Sequence, residues 1–300
     1  MRTPRVLDSL LRFHAFEACR ACSIRPRLDI KSLVQKPAHT ECDTVVYGGS
    51  RIHRVLICEL RPVKALDSAA FLKAFLDIIL CHFILWTRHD VYHRVVSLDI
   101  LKYETVNGKI AGLLTDIDLA ACPDDRSGTL QYMAQELLDA RPGHKLAHHY
   151  RYDLESFYWI LIWICNCVEH GKDVKPLPKP FRCWKSADYD TVFEKRFPYE
   201  HHAWKYWSTL PLSRLALSEI AMRWLTDFVC RVRPRVTFSK DGLSYGSDPY
   251  DCFGSFCDML SSDDMQEELQ YNGEEGEALL ECIRDFLGVA QGYRRQIQAT

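Results

Sequence analysis

Residues 157–168, FYWILIWICNCV, constrain the fold more than any other stretch. Twelve residues are apolar on every helical face, with Asn166 the one clear polar interruption. A helix that is hydrophobic all round has to be buried on all sides. Crossing a bilayer takes roughly 20 such residues, so this run predicts a central core helix around which the chain wraps. Asp153 is a good N-cap and predicts the helix start. The 300 residues, 47% hydrophobic and 26% charged, supply enough apolar mass for one large domain or a domain with extensions.

Charge and cysteine usage narrow the classes. A net charge of −2 argues against a general nucleic-acid binder, which needs a basic surplus for phosphates. No membrane partner is expected. The thirteen cysteines are odd in number and scattered, and the opening residues carry no long apolar core. The expectation is a reducing intracellular compartment, cytoplasmic or nuclear, with cysteines acting as small buried hydrophobes. Cys19 and Cys22 form a single pair with no second pair at finger spacing, so no zinc site is expected. Cys165 and Cys167 read as core.

Along the chain, RIHRVLICEL (51–60) reads as a strand ended by Pro62. From Asp67, Phe71, Leu72, Phe75, Ile78, Ile79 and Phe83 recur at spacings of three and four, which predicts a helix capped by Asp67 or Ser68. ILKYE and GKIAGLLTDI read as two strands joined at Asn107-Gly108, a strong hairpin dipeptide. Residues 116–136 and 171–190 read as loops, 202–232 as largely helical and 236–255 as a loop. From 262 the chain is acidic through Glu277, the mark of a solvated helix face, and ALLECIRDFLGVA is amphipathic. The pairs His148-His149 and His201-His202 read as surface or loop pairs.

Four motifs then follow in order: VYHRVVSLDIL (91–101), LLTDIDLA (113–120), GTLQYMAQE (128–136) and HYRYDLESFYWILIWIC (149–165). Together they resemble the C-lobe of a protein kinase, and in detail the fungal-type protein kinase domain family. GTLQYMAQE departs from the kinase pattern G-T-x-x-Y-M-A-P-E only at Gln135, where that pattern has proline. Asp-Ile-Asp stands where the fungal-type family has Asp-Phe-Asp. The resemblance implies an α+β fold with a mainly helical C-lobe and a truncated or divergent N-terminal lobe. It divides the chain into an N-terminal segment (1–50), a kinase-like C-lobe (51–235) and a loop with an acidic, amphipathic C-terminal segment (236–300).

The resemblance also assigns roles. His93-Arg94 is the catalytic-loop motif, and the next residue in a kinase is the aspartate that takes the substrate proton. Here it is Val95, which cannot accept a proton or orient a hydroxyl; losing such a group typically lowers the rate about 10²–10⁴-fold. The second metal ligand, an asparagine in the pattern, falls at Ile100, and Asp99 is the one nearby carboxylate. Asp116 is the implied magnesium and ATP-phosphate ligand, with Asp118 after it. Thr129 shapes the peptide-substrate loop and packs toward the base, which leaves Ser127 as the better acceptor for a regulatory kinase. Glu136 pairs with a buried arginine from a later helix, with Arg231, Arg233 and Arg235 as candidates. Asp153 accepts hydrogen bonds from the backbone of the His-Arg turn. Gly48-Gly49-Ser50 reads as a turn rather than a phosphate-covering loop, and Lys31 and Lys36 read as surface lysines.

Phosphoryl transfer needs positioning and charge neutralisation, and the parts that supply them are missing together. The leading expectation is a catalytically degenerate pseudokinase that acts by binding protein, with Mg²⁺ and ATP only if nucleotide binding survives. The alternatives are an active serine/threonine kinase that uses Asp116 and Asp99, and a non-functional C-lobe fragment.

Overall fold

The computed structural model describes residues 45–46, 52–53, 60–89, 91–116, 129–139, 148–186, 188–202, 214–227 and 248–298. Lys31, Lys36, Gly48-Gly49-Ser50, Asp118, Ser127, Arg231, Arg233 and Arg235 lie outside them. The described part is mainly helical with few strands, in keeping with the α+β expectation.

Short strands β1 (Val45–Val46) and β2 (Ile52–His53) pair antiparallel. Strand β3 (Arg61–Pro62) joins β4 (Leu101–Val106) and β5 (Lys109–Leu114) in a three-stranded antiparallel sheet. Between β4 and β5, Asn107 and Gly108 have φ of 51° and 75°, the left-handed pair that a two-residue hairpin turn requires. Helix α1 (Ser68–His89) starts where the sequence predicts, with the Asp67 carboxylate accepting the Ala70 N–H at 2.9 Å. Its predicted stripe, Phe71 through Phe83, is buried.

Strand β5 lies directly on α1. A Cβ built on Gly112 would fall 1.9 Å from the Ala74 carbonyl oxygen, so only glycine lets the two backbones approach this closely. By length and composition α1 could cross a membrane, and it is longer than the apolar run at 157–168. In the structure most of it is buried within the fold.

Helix α2 (Gln135–Asp139) is short. Helix α3 (Tyr150–Cys167) is the predicted central helix, and every one of its residues is buried. It begins at Tyr150, three residues before the expected cap. Asp153 lies inside the first turns with its carboxylate engaged elsewhere, and His149 occupies the cap position without a side-chain capping bond. Cys165 and Cys167 are core, as expected.

The 171–190 stretch is more regular than its prolines suggest. It holds β7 (Lys172–Asp173), which pairs with β6 (Val168–Glu169) just before it, a 3-10 helix over Lys179–Lys185, and the start of α4 (Tyr189–His202). Helix α5 (Leu215–Asp227) follows. Helix α6 (Pro249–Leu260) replaces part of the loop expected at 236–255. Asp248 caps it by accepting the Tyr250 N–H, and Pro249 stands at its first turn, where no N–H is needed.

Helices α7 (Asp263–Gln270) and α8 (Gly273–Gln298) complete the described chain and share the core with α1, α3 and α5. Phe253 of α6 stacks on Phe83 of α1 at 4.0 Å, and Phe256 meets Trp224 of α5 at 4.5 Å. Each such ring, fully buried, contributes about 1.5–3 kcal/mol. The acids of α7 are largely solvated, as expected, while Arg223 of α5 ties Asp264 and Glu268 to the body at 3.0 and 2.7 Å.

Candidate functional site

The site forms where the ends of α1, α3 and the β4–β5 hairpin converge. Asp153, 1% exposed, is its anchor. One carboxylate oxygen accepts from His82 Nε2 of α1 at 2.9 Å and from the Arg94 backbone N–H at 3.2 Å. The other accepts from His148 Nε2 at 2.9 Å. Burial alone would raise the Asp153 carboxyl; its contacts with His148 and then His82 outweigh burial and hold it well below the usual carboxylate range.

Held this way, the turn is tight. The Val95 N–H donates to the His93 carbonyl at 2.8 Å, and Arg94 between them has φ of 63°, a left-handed conformation uncommon outside glycine, asparagine and aspartate. Such strain persists only where the surroundings over-determine it, and here the buried carboxylate does so. His93 is buried and donates its Nε2–H to the Thr115 carbonyl at 3.0 Å, which fixes the tautomer. Its Nδ1 is buried without a partner among the described residues. Burial holds its pKa below the ordinary range, against the Thr115 bond and the charges of Asp153 and Asp116.

Thr115 also binds the far end of the same loop. Its N–H and its hydroxyl both donate to the Ile100 carbonyl, at 3.1 and 3.0 Å. The 93–100 loop is therefore closed onto the strand that leads to Asp116. Asp116 is exposed, with φ of 58°. Val95 is half-buried, and Ile100 turns a buried side chain into the core. Asp99 is exposed on the 3-10 turn Leu98–Ile100 and makes no hydrogen bond or ion pair among the described residues. Its charge bears on Tyr132, whose phenol is pushed up by burial first and then by Asp173 and Asp99.

A second group of contacts fixes residues 129–136. Arg196 of α4, fully buried, donates to the Gln131 carbonyl at 3.2 Å and to the Met133 carbonyl, and lies over the Trp159 ring at 4.2 Å. The Gln135 N–H donates to Glu155 at 2.9 Å, a bond that the proline of the kinase pattern could not make. Glu136 forms a two-pronged pair with Arg151 (2.6 Å for Nη2) and accepts the Tyr152 hydroxyl at 2.9 Å. Among the described residues its arginine partner is Arg151 of α3, two residues before Asp153; the sequence candidates Arg231, Arg233 and Arg235 lie outside those residues. Thr129 is exposed, against the expectation that it packs; its carbonyl accepts the Tyr132 N–H.

The amino-acid sequence matches a family. The model for fungal protein kinases covers residues 15–165, half of the chain. The chain belongs to the fungal protein kinase family. No curated protein and no solved structure matches it.

For a fungal protein kinase the metal-binding parts are thin. Among the described residues, no group of three His, Cys, Asp or Glu side chains comes together to hold a metal ion. Asp116 offers one exposed carboxylate, and the position where the pattern has asparagine holds a buried isoleucine whose carbonyl is taken by Thr115. Magnesium is usually held by one or two carboxylates together with substrate phosphates, and the described residues do not fit the paired metal ions of kinase chemistry. His148 stands in the loop before α3, within the surface-or-loop expectation, but its role as a partner of the buried Asp153 carboxylate is not marked in the sequence. His82, Thr115 and Arg196 were not singled out either. No local pattern marks them, because their partners lie between 15 and 71 residues away.

Proposed function

We propose that this fungal protein kinase is catalytically degenerate and works by binding another protein. One observation carries the reading. The turn anchored by Asp153 presents Val95, an aliphatic side chain, where the family pattern presents the proton-accepting aspartate. The commitment of Ile100 adds to it, since an aliphatic side chain buried in the core cannot stand in for the second metal ligand. What remains around the turn is architectural: Asp153, His93, Thr115, Gln135, Glu136, Arg151 and Arg196 hold loops together without needing a substrate. A scaffold of that kind presents a fixed surface, which is what partner recognition requires.

The test is thermal unfolding of the full chain with and without Mg-ATP. A ligand that binds only the folded state raises stability by mass action, about 2.7 kcal/mol at a hundredfold excess over Kd. The reading expects one cooperative transition that Mg-ATP does not move. An upward shift that disappears in Asp116→Asn would place the nucleotide at Asp116 and favour an active kinase instead.

A further inference from the structure

Residues Lys179–Lys185 form a 3-10 helix, KPFRCWK. Side chains three apart on such a helix eclipse one another, so the segment has distinct rows. Phe181 and Trp184 form a buried row. Lys179, Arg182 and Lys185 form an exposed, wholly basic one. Arg182 donates its Nε–H to the Leu177 carbonyl at 2.8 Å, which fixes the side chain and leaves its terminal nitrogens without a bond among the described residues. Lys185 pairs with Asp173 at 2.6 Å and lies over the Trp163 ring at 5.1 Å.

The row ends at an open depression of about 540 Å³ lined by Thr129, Gln131, Trp184, Lys185, Ser186 and Tyr189, among others. Hydroxyl-bearing side chains and an ammonium therefore stand around one concavity. The Trp184 indole N–H, fully buried, has no hydrogen-bond partner among the described residues. Lys172 and Lys175 are exposed on the segment before it.

We propose that this basic row and its cavity dock an acidic peptide segment of a partner protein. Carboxylates would lie along Lys179 and Arg182, where a guanidinium can take a carboxylate through two parallel bonds. One side chain of the peptide would enter the cavity at Tyr189 and Lys185. Nucleic acid fits less well, because stacking needs an open aromatic face and the Trp184 ring is buried. The inference rests on the protein-binding reading above and names its partner's chemistry.

The experiment is fluorescence anisotropy of the full chain with a labelled Glu/Asp-rich peptide carrying one central leucine. The Gln/Asn isostere of that peptide is the control, and a single-stranded oligonucleotide is the competitor. Lys179→Glu with Arg182→Glu should weaken binding by about 10-fold or more, the size of a lost charged contact at a rim. Lys109→Glu with Arg284→Glu makes the same charge change at other exposed sites and should leave binding within about twofold. Lys179→Gln with Arg182→Gln serves if the first variant does not melt cooperatively. No binding, equal loss in the two charge variants, equal binding of the isostere, or displacement by the oligonucleotide would each overturn the proposal. None of these results bears on phosphate transfer, so this inference can fail while the reading beneath it stands.

Discussion

Asp153 and Arg94 are joined by a hydrogen bond of 3.2 Å that spans 59 residues of sequence, from a buried helical carboxylate to a backbone N–H in a left-handed turn. The same carboxylate also holds His82 and His148. Asp153→Ala would leave three donors without their acceptor around a buried position. Breaking a buried charged network in this way costs about 3–5 kcal/mol. Chemical denaturation should show a lower midpoint with an unchanged slope. A loss under about 1 kcal/mol, the level of an exposed pair, would mean that Asp153 does not anchor the turn.

Gly112 should tolerate no side chain. In Gly112→Ala the new methyl would meet the Ala74 carbonyl, a backbone atom that cannot move without α1. Overpacking of this kind costs about 1–3 kcal/mol. At Gly108, where nothing lies within 4 Å, the same substitution carries only the penalty of the left-handed backbone, about 1 kcal/mol. Melting the two variants side by side should rank Gly112→Ala as the more damaging.

Acid should weaken the fold in two steps. In the unfolded chain His93 takes a proton near the ordinary value of about 6.5. In the folded protein burial holds it lower. The unfolded state therefore binds more protons just below about pH 6.5, and stability falls as pH drops through that value, levelling off below the folded pKa. His149, also lowered, first by burial and then by Arg151, acts in the same direction. Asp153, depressed in the fold, keeps its contribution above about pH 4 and loses it as pH falls further. His93→Gln keeps a donor toward Thr115 but cannot titrate. Denaturation midpoints between about pH 5 and about pH 7.5 should slope less steeply in that variant.

Local pattern made much of this legible. The all-round apolar run at 157–168 announced the central helix, the stripe from Phe71 to Phe83 announced α1, and Asn107-Gly108 announced the hairpin. The order of the His-Arg, Asp-Ile-Asp and GTLQYMAQE motifs pointed to the family. Misreadings came where a side chain serves a partner that no local pattern links to it. Asp153 looked like a cap because aspartate usually is one, yet its carboxylate is drawn to His82, His148 and Arg94. The role of His148 stays hidden because no spacing links it to Asp153 as a functional pair. Arg151, which pairs with Glu136 from the helix that follows, carries no mark in the sequence that links the two. Prolines hid the 3-10 helix at 179–185, although one of them, Pro180, sits in its first turn, where the missing N–H costs nothing.

The central claim is that a chain with Val95 after its His-Arg turn and Ile100 in place of a metal ligand does not move phosphate. The most direct measurement is transfer of labelled γ-phosphate from Mg-ATP to the full chain itself and to a generic protein substrate, run beside Asp116→Asn. The account predicts no transfer above background in either protein. Transfer by the parent chain that vanishes in Asp116→Asn would contradict it.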